Sequence, residues 1–83
     1  MYQYAEERKK VFTEEGQVMF LKIRDKMRDH CNLSGAVGFW KATEGVTGDS
    51  WIMLACIDRL VELGEFECIF SKGMTQDRVY RRT

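Results

Sequence analysis

Along this chain, apolar residues return first at helical spacing and later in alternation, and the changeover marks out the predicted elements. Phe20, Ile23, Met27 and Cys31 recur three or four positions apart, with Lys22, Arg24, Lys26 and Arg28 between them. That stripe predicts a first helix over about residues 13–31, with one side against a core and the other in water. Thr13 can cap it, and Glu14 and Glu15 occupy a first turn where the helix dipole favours negative charge. Ahead of it, residues 1–12 mix Tyr2 and Tyr4 with Glu6, Glu7, Arg8, Lys9 and Lys10. They read as an N-terminal arm or short helix preceding one domain over 13–83.

Asn32 or Ser34 can end the first helix and start a second, short one over about residues 35–43. Its two internal glycines weaken it by roughly 1 kcal/mol each relative to alanine, so packing through Val37 with Phe39 or Trp40 must hold it. Gly45 is placed to end it in a left-handed conformation, Val46 plugs the turn, and Thr47 is expected to cap a third helix over about 48–63. In that helix Met53, Cys56, Ile57, Leu60 and Leu63 form the expected core stripe. Trp51, Leu54, Ala55, Asp58 and Glu62 lie opposite. After Gly64, "EFECIF" and "RVYR" alternate around "SKGMTQD", which supplies a turn at Gly73 and predicts an antiparallel hairpin over about 65–82. The expected fold class is mainly α with a small β-hairpin, three helices followed by two strands.

The stretch "EGVTGDSWIMLACIDRLVELGEFECIF" carries a resemblance. Through Gly45, Val46, Thr47, Leu60, Leu63, Gly64 and Phe66, residues 34–82 resemble the winged helix-turn-helix superfamily of small bacterial and phage regulators. From Gly45 to Gly64 the chain is about two residues longer than the commonest spacing in that superfamily. The resemblance implies a three-helix winged fold that binds double-stranded DNA without catalysis, in transcription regulation of a phage-like kind. It places Thr47, Ser50, Trp51 and Leu54 on the recognition helix and Lys72, Arg78, Arg81 and Arg82 on the wing. A homodimer would present two such wings.

Charge complicates that expectation. Thirteen Lys and Arg balance thirteen Asp and Glu, for a formal charge of zero. A domain built chiefly to neutralise phosphates usually carries a basic excess, so DNA binding here would have to come from charge asymmetry. The first half of the third helix holds no Lys or Arg, and Asp49 would face phosphate unless it caps its own helix. The alternative expectation is therefore a protein-interaction module, an adaptor or a phage-type inhibitor of a host protein. It would use the apolar patch of Trp51, Leu54 and Ala55, since tryptophan is a frequent interface anchor. Residues 1–12 folding back over the same patch is the competing outcome.

Little points to catalysis. His30 is the single histidine, and its neighbour Cys31 projects about 100° away from it on a helix, which makes the two poor co-ligands. "GAVGFWK" lacks the spacing and the hydroxyl of a phosphate loop. The three cysteines form no C-x-x-C pair and are expected to be reduced thiols. No enzyme activity, cofactor or metal is expected. The longest apolar run, Trp51 to Ile57, is far below the ~20 residues of a membrane helix, and the first ten residues lack a signal-peptide pattern. A cytoplasmic location is the expectation.

Overall fold

The computed structural model describes residues 1–71 and 78–83, so Lys72 and the expected turn at Gly73 lie outside the described residues. The elements in order are α1 (Tyr4–Val11), α2 (Glu14–Ser34), β1 (Val37–Gly38), α3 (Phe39–Thr43), α4 (Ser50–Glu62), β2 (Phe66–Ser71) and β3 (Arg78–Arg82). The chain is mainly helical with a three-stranded antiparallel sheet in the order β1-β3-β2.

The lead-in residues form a helix that doubles back on the next. Thr13 sits at the bend in extended backbone; its hydroxyl accepts from the Gly16 N–H at 3.0 Å and donates to the Lys10 carbonyl at 2.7 Å. The Gln17 amide donates to the Val11 carbonyl at 2.7 Å. Gly16 lies so close to the end of α1 that an added Cβ would fall 2.7 Å from the Val11 oxygen. Only a residue without a side chain permits this approach. Along α2, Ile23, Met27 and Cys31 are buried as the helical spacing predicts, but Met19, not Phe20, completes the buried stripe and Phe20 is only partly buried; Gly35 ends the helix with φ 81°.

The expected second helix is shorter than the sequence suggests. Val37 and Gly38 are extended and pair with Tyr80 and Val79, and helix begins only at Phe39. Two glycines make this stretch a poor helix, whereas pairing with β3 satisfies its backbone and buries Val37. Phe39 is buried too, while Trp40 stays exposed with its ring edge-on to Phe39 at 5.3 Å. The expected cap of the third helix is also corrected. Asp49, not Thr47, is the N-cap, accepting from the Trp51 N–H at 2.7 Å, because the helix starts at Ser50.

Met53, Cys56, Ile57 and Leu60 of α4 are buried against α2 and the sheet, in a core completed by Phe66 and Tyr80. Leu63, expected in that stripe, is 55% exposed, because it lies past the last helical turn as the C-cap. In the hairpin, Phe66 pairs with Arg82, Glu67 with Arg81, Cys68 with Tyr80, Phe70 with Val79 and Ser71 with Arg78. Ile69 is the extra residue of a β-bulge. Strand side chains alternate between faces. Buried Tyr80 thus sets the inner face, shared by Arg78 and Arg82, and leaves Val79 and Arg81 on the outer one.

Candidate functional site

The side of α4 turned away from the core holds Trp51, Ala55, Asp58 and Glu62, and α1 lies across it. The Tyr2 hydroxyl donates to Asp58 Oδ2 at 2.6 Å, and the Tyr4 hydroxyl donates to Glu62 Oε1 at 2.9 Å. Arg8 Nε donates to both oxygens of Glu62, at 2.9 and 3.1 Å. The Tyr2 ring meets Trp51 edge-on, with centroids 6.3 Å apart. At the far end of α1, Phe12 is flanked by the guanidinium groups of Arg8 and Arg59, 5.0 and 5.1 Å from its ring centre.

Residues 1–12 thus fold back as a lid over this side of α4, the competing outcome above, and the expectation of a free apolar patch is corrected. Leu54 and Ala55, placed by the sequence on a free apolar patch, are 1% and 0% exposed. Leu54 therefore cannot touch a DNA groove, and neither residue can anchor a partner in this arrangement. Their burial follows from the second helix packed on α4, since a helix held on two sides is apolar over most of its circumference. Trp51 alone of that patch stays accessible, at 40%.

Beneath the lid the two carboxylates are matched by three guanidinium groups, Arg8 and Arg59 on Glu62 and Arg78 on Asp58. Hydrogen bonds from Arg59, Arg8 and Tyr4 hold the Glu62 carboxyl down to about 2. Burial raises the Asp58 carboxyl, opposed by the Tyr2 hydrogen bond and the nearby Arg78 charge. Burial is also the main cause that raises the Tyr2 hydroxyl, with its bond to Asp58 acting in the same direction.

The hairpin arginines are engaged. Arg78 turns inward, and its Nη1 donates to Asp58 Oδ1 at 3.3 Å. Arg82 lies 3.8 Å from Glu65 Oε2 with its guanidinium over the Phe66 ring. Glu65 also takes both arms of Arg28, at 2.6 and 2.8 Å. Arg81 points outward and pairs with Glu67. Arg81 and Arg82 stand opposite Glu67 and Phe66, at the root of the hairpin, and only Arg78 adjoins the segment that joins the strands. The remaining wing residue, Lys72, is outside the described residues.

Thr47, Ser50 and Trp51 do come together, exposed at the start of α4 around the capping Asp49. Thr47 also borders a 260 Å³ depression lined by Glu15, Val18, Met19, Lys22 and Val46. The Tyr2–Asp58–Arg78 junction was missed in the sequence, although a signal exists: in "RVYRR", Arg78 shares the inward register of Tyr80. Cys31 and Cys56 are buried, and burial pushes the Cys56 thiol up to about 12, far from a nucleophile's range. Among the described residues no three His, Cys, Asp or Glu side chains are grouped to hold a metal ion, and no helix is long and apolar enough to cross a membrane. Comparison with protein-family models, with curated proteins and with solved structures gave no match.

Proposed function

We propose that this chain is a winged helix-turn-helix module acting without catalysis as a protein-interaction unit, an adaptor or inhibitor in kind. Support for the scaffold is its order from α2 onward: helix, strand, helix, helix and a two-stranded hairpin, with β1 added beside β3. One observation carries the choice of partner. Beyond its first turn, the outward side of α4 is covered by the N-terminal segment, which bonds to Asp58 and Glu62. Function belongs to the site and not to the scaffold, and here the arginines beside that face are already engaged with Asp58 and Glu62.

A second reading, a DNA-binding transcription regulator of bacterial or phage type, is favoured by the exposure of Thr47, Ser50 and Trp51 at the start of α4. Arg81 adds to it: an exposed ion pair is worth only about 0–1 kcal/mol, so its guanidinium could exchange Glu67 for a phosphate. Fluorescence anisotropy of a labelled mixed-sequence duplex across a salt series separates the two. The protein-contact reading expects no binding at moderate salt. Tight binding that falls steeply with salt and weakens in Arg81→Ala would establish the DNA reading instead.

A further inference from the structure

Resting on the protein-contact reading, we infer that the partner is a second copy of this chain, seated on the outer face of the sheet. Of the two sheet faces, the inner one packs on the helices through Phe66 and Tyr80. The outer face carries Phe70 beside Val79, Glu67 beside Arg81, and Gly38 next to Val79 on β1, where no side chain covers the strip. Phe70 and the bulged Ile69 are 53% and 49% exposed. With Val79 opposite Phe70 they form a continuous apolar strip across β2 and β3, and continuity is what distinguishes an association surface from scattered exposed side chains.

Charge selects the occupant. Among the described residues the outer face offers one anion and one cation, Glu67 and Arg81, in register on adjacent strands. In a two-fold contact, residue i of one copy meets residue j of the other and the reverse. Arg81 of each copy then reaches Glu67 of its partner, with Phe70 and Val79 packed between the two pairs. Each Glu67 then meets an arginine and not a second carboxylate, so these pairs bring two copies together without repulsion. Contact through the face, and not through the free edge of β2, follows from the bulge at Ile69, which bends that edge strand away from regular pairing.

Sedimentation velocity on the full chain over a micromolar concentration series tests this. The expected result is a shift with concentration toward twice the monomer mass, and a dissociation constant raised at least ~30-fold by Phe70→Lys. Glu67→Arg alone and Arg81→Glu alone should each dissociate the dimer, because like charges then face each other across the axis. Mixing those two variants should restore a heterodimer. All these positions face solvent, and far-UV circular dichroism on each variant confirms that the fold is retained. A wild-type chain that stays monomeric throughout overturns the proposal, as does a mixture that does not associate. Salt-sensitive duplex binding by the same sample would instead overturn the protein-contact reading, and leaves the measured mass to decide the dimer.

Discussion

The hydroxyl of Tyr2 and the carboxylate of Asp58, 56 positions apart in the chain, meet at 2.6 Å. The other Asp58 oxygen takes the guanidinium of Arg78. One carboxylate on α4 thereby fastens the N-terminal helix on one side and the hairpin on the other.

Tyr2→Phe keeps the ring against Trp51 and removes only the donor to Asp58. A part-buried hydrogen bond to a charged acceptor contributes about 1.5–3 kcal/mol. For a domain of this size each 1 kcal/mol lowers Tm by about 4–8 °C. Thermal unfolding at neutral pH measures this, and an unchanged Tm would mean that the contact does not hold α1 down.

Leu54→Ala and Trp51→Ala should separate clearly. Leu54 is fully packed, and its truncation should cost about 2–5 kcal/mol. Trp51 is exposed apart from its edge contact with Tyr2, so its loss should cost about 1 kcal/mol and leave the helical signal intact. Urea unfolding of the pair gives the comparison, and equal losses would contradict the burial described.

Gly16→Ala should be among the most damaging single changes outside the core. The new methyl group would press on the backbone of Lys10 and Val11, which cannot turn aside as a side chain can. Overpacking of this kind costs about 1–3 kcal/mol or more. Increased hydrogen exchange in α1, at amides that are protected in the wild type, would locate the damage at the bend. Wild-type protection throughout α1 would argue against the close approach.

Arg78→Ala should destabilise the fold more than Arg81→Ala. Removing Arg78 leaves half-buried Asp58 without its cation, whereas the Arg81–Glu67 pair is exposed and contributes about 0–1 kcal/mol at most. Chemical denaturation of both variants under dilute, monomeric conditions orders them.

Acid should loosen the lid. Glu62 is depressed to about 2 from its ordinary 4.5, and Glu65 is lowered as well. A depressed folded-state value gives stability that is complete above about pH 4.5 and lost as the pH falls toward 2. Asp58 has the opposite sign: its raised value makes the folded state bind the proton more readily, which offsets part of the loss above pH 3.8. Melting curves between pH 5 and 2.5 should therefore fall for the wild type and less steeply for Glu62→Gln. Equal slopes would exclude the Arg8–Glu62–Arg59 contact as their source.

Much of the local structure was legible from side-chain spacing. Thr13 as a cap, the Ile23–Met27–Cys31 burial, the left-handed turn at Gly45 and the helix stop at Gly64 depend on neighbours within a few positions. Short-range geometry leaves these residues few alternatives. The strand at Val37–Gly38 was not legible, because its pairing partner, β3, lies some forty positions later.

The candidate site was read least well, and for one reason. Periodicity assigns Leu54 and Ala55 to the side of α4 opposite the core, but it cannot say whether another element will cover that side. The docking of α1 depends on two tyrosines and an arginine reaching Asp58 and Glu62 from more than fifty positions away. Likewise the basic tail "RVYRR" reads as a run of charge until Tyr80 fixes the register and sends Arg78 and Arg82 inward to carboxylates.

The sequence by itself determined the long helices α2 and α4, the Thr13 cap, the stop at Gly64, the closing hairpin and the neutral balance of charge, since each follows from composition or from spacing within a turn or two. Tertiary structure decided which faces remain available. A helix side, or a cation, becomes an interface only if nothing else in the chain reaches it first, and that is settled by long-range packing and ion pairing.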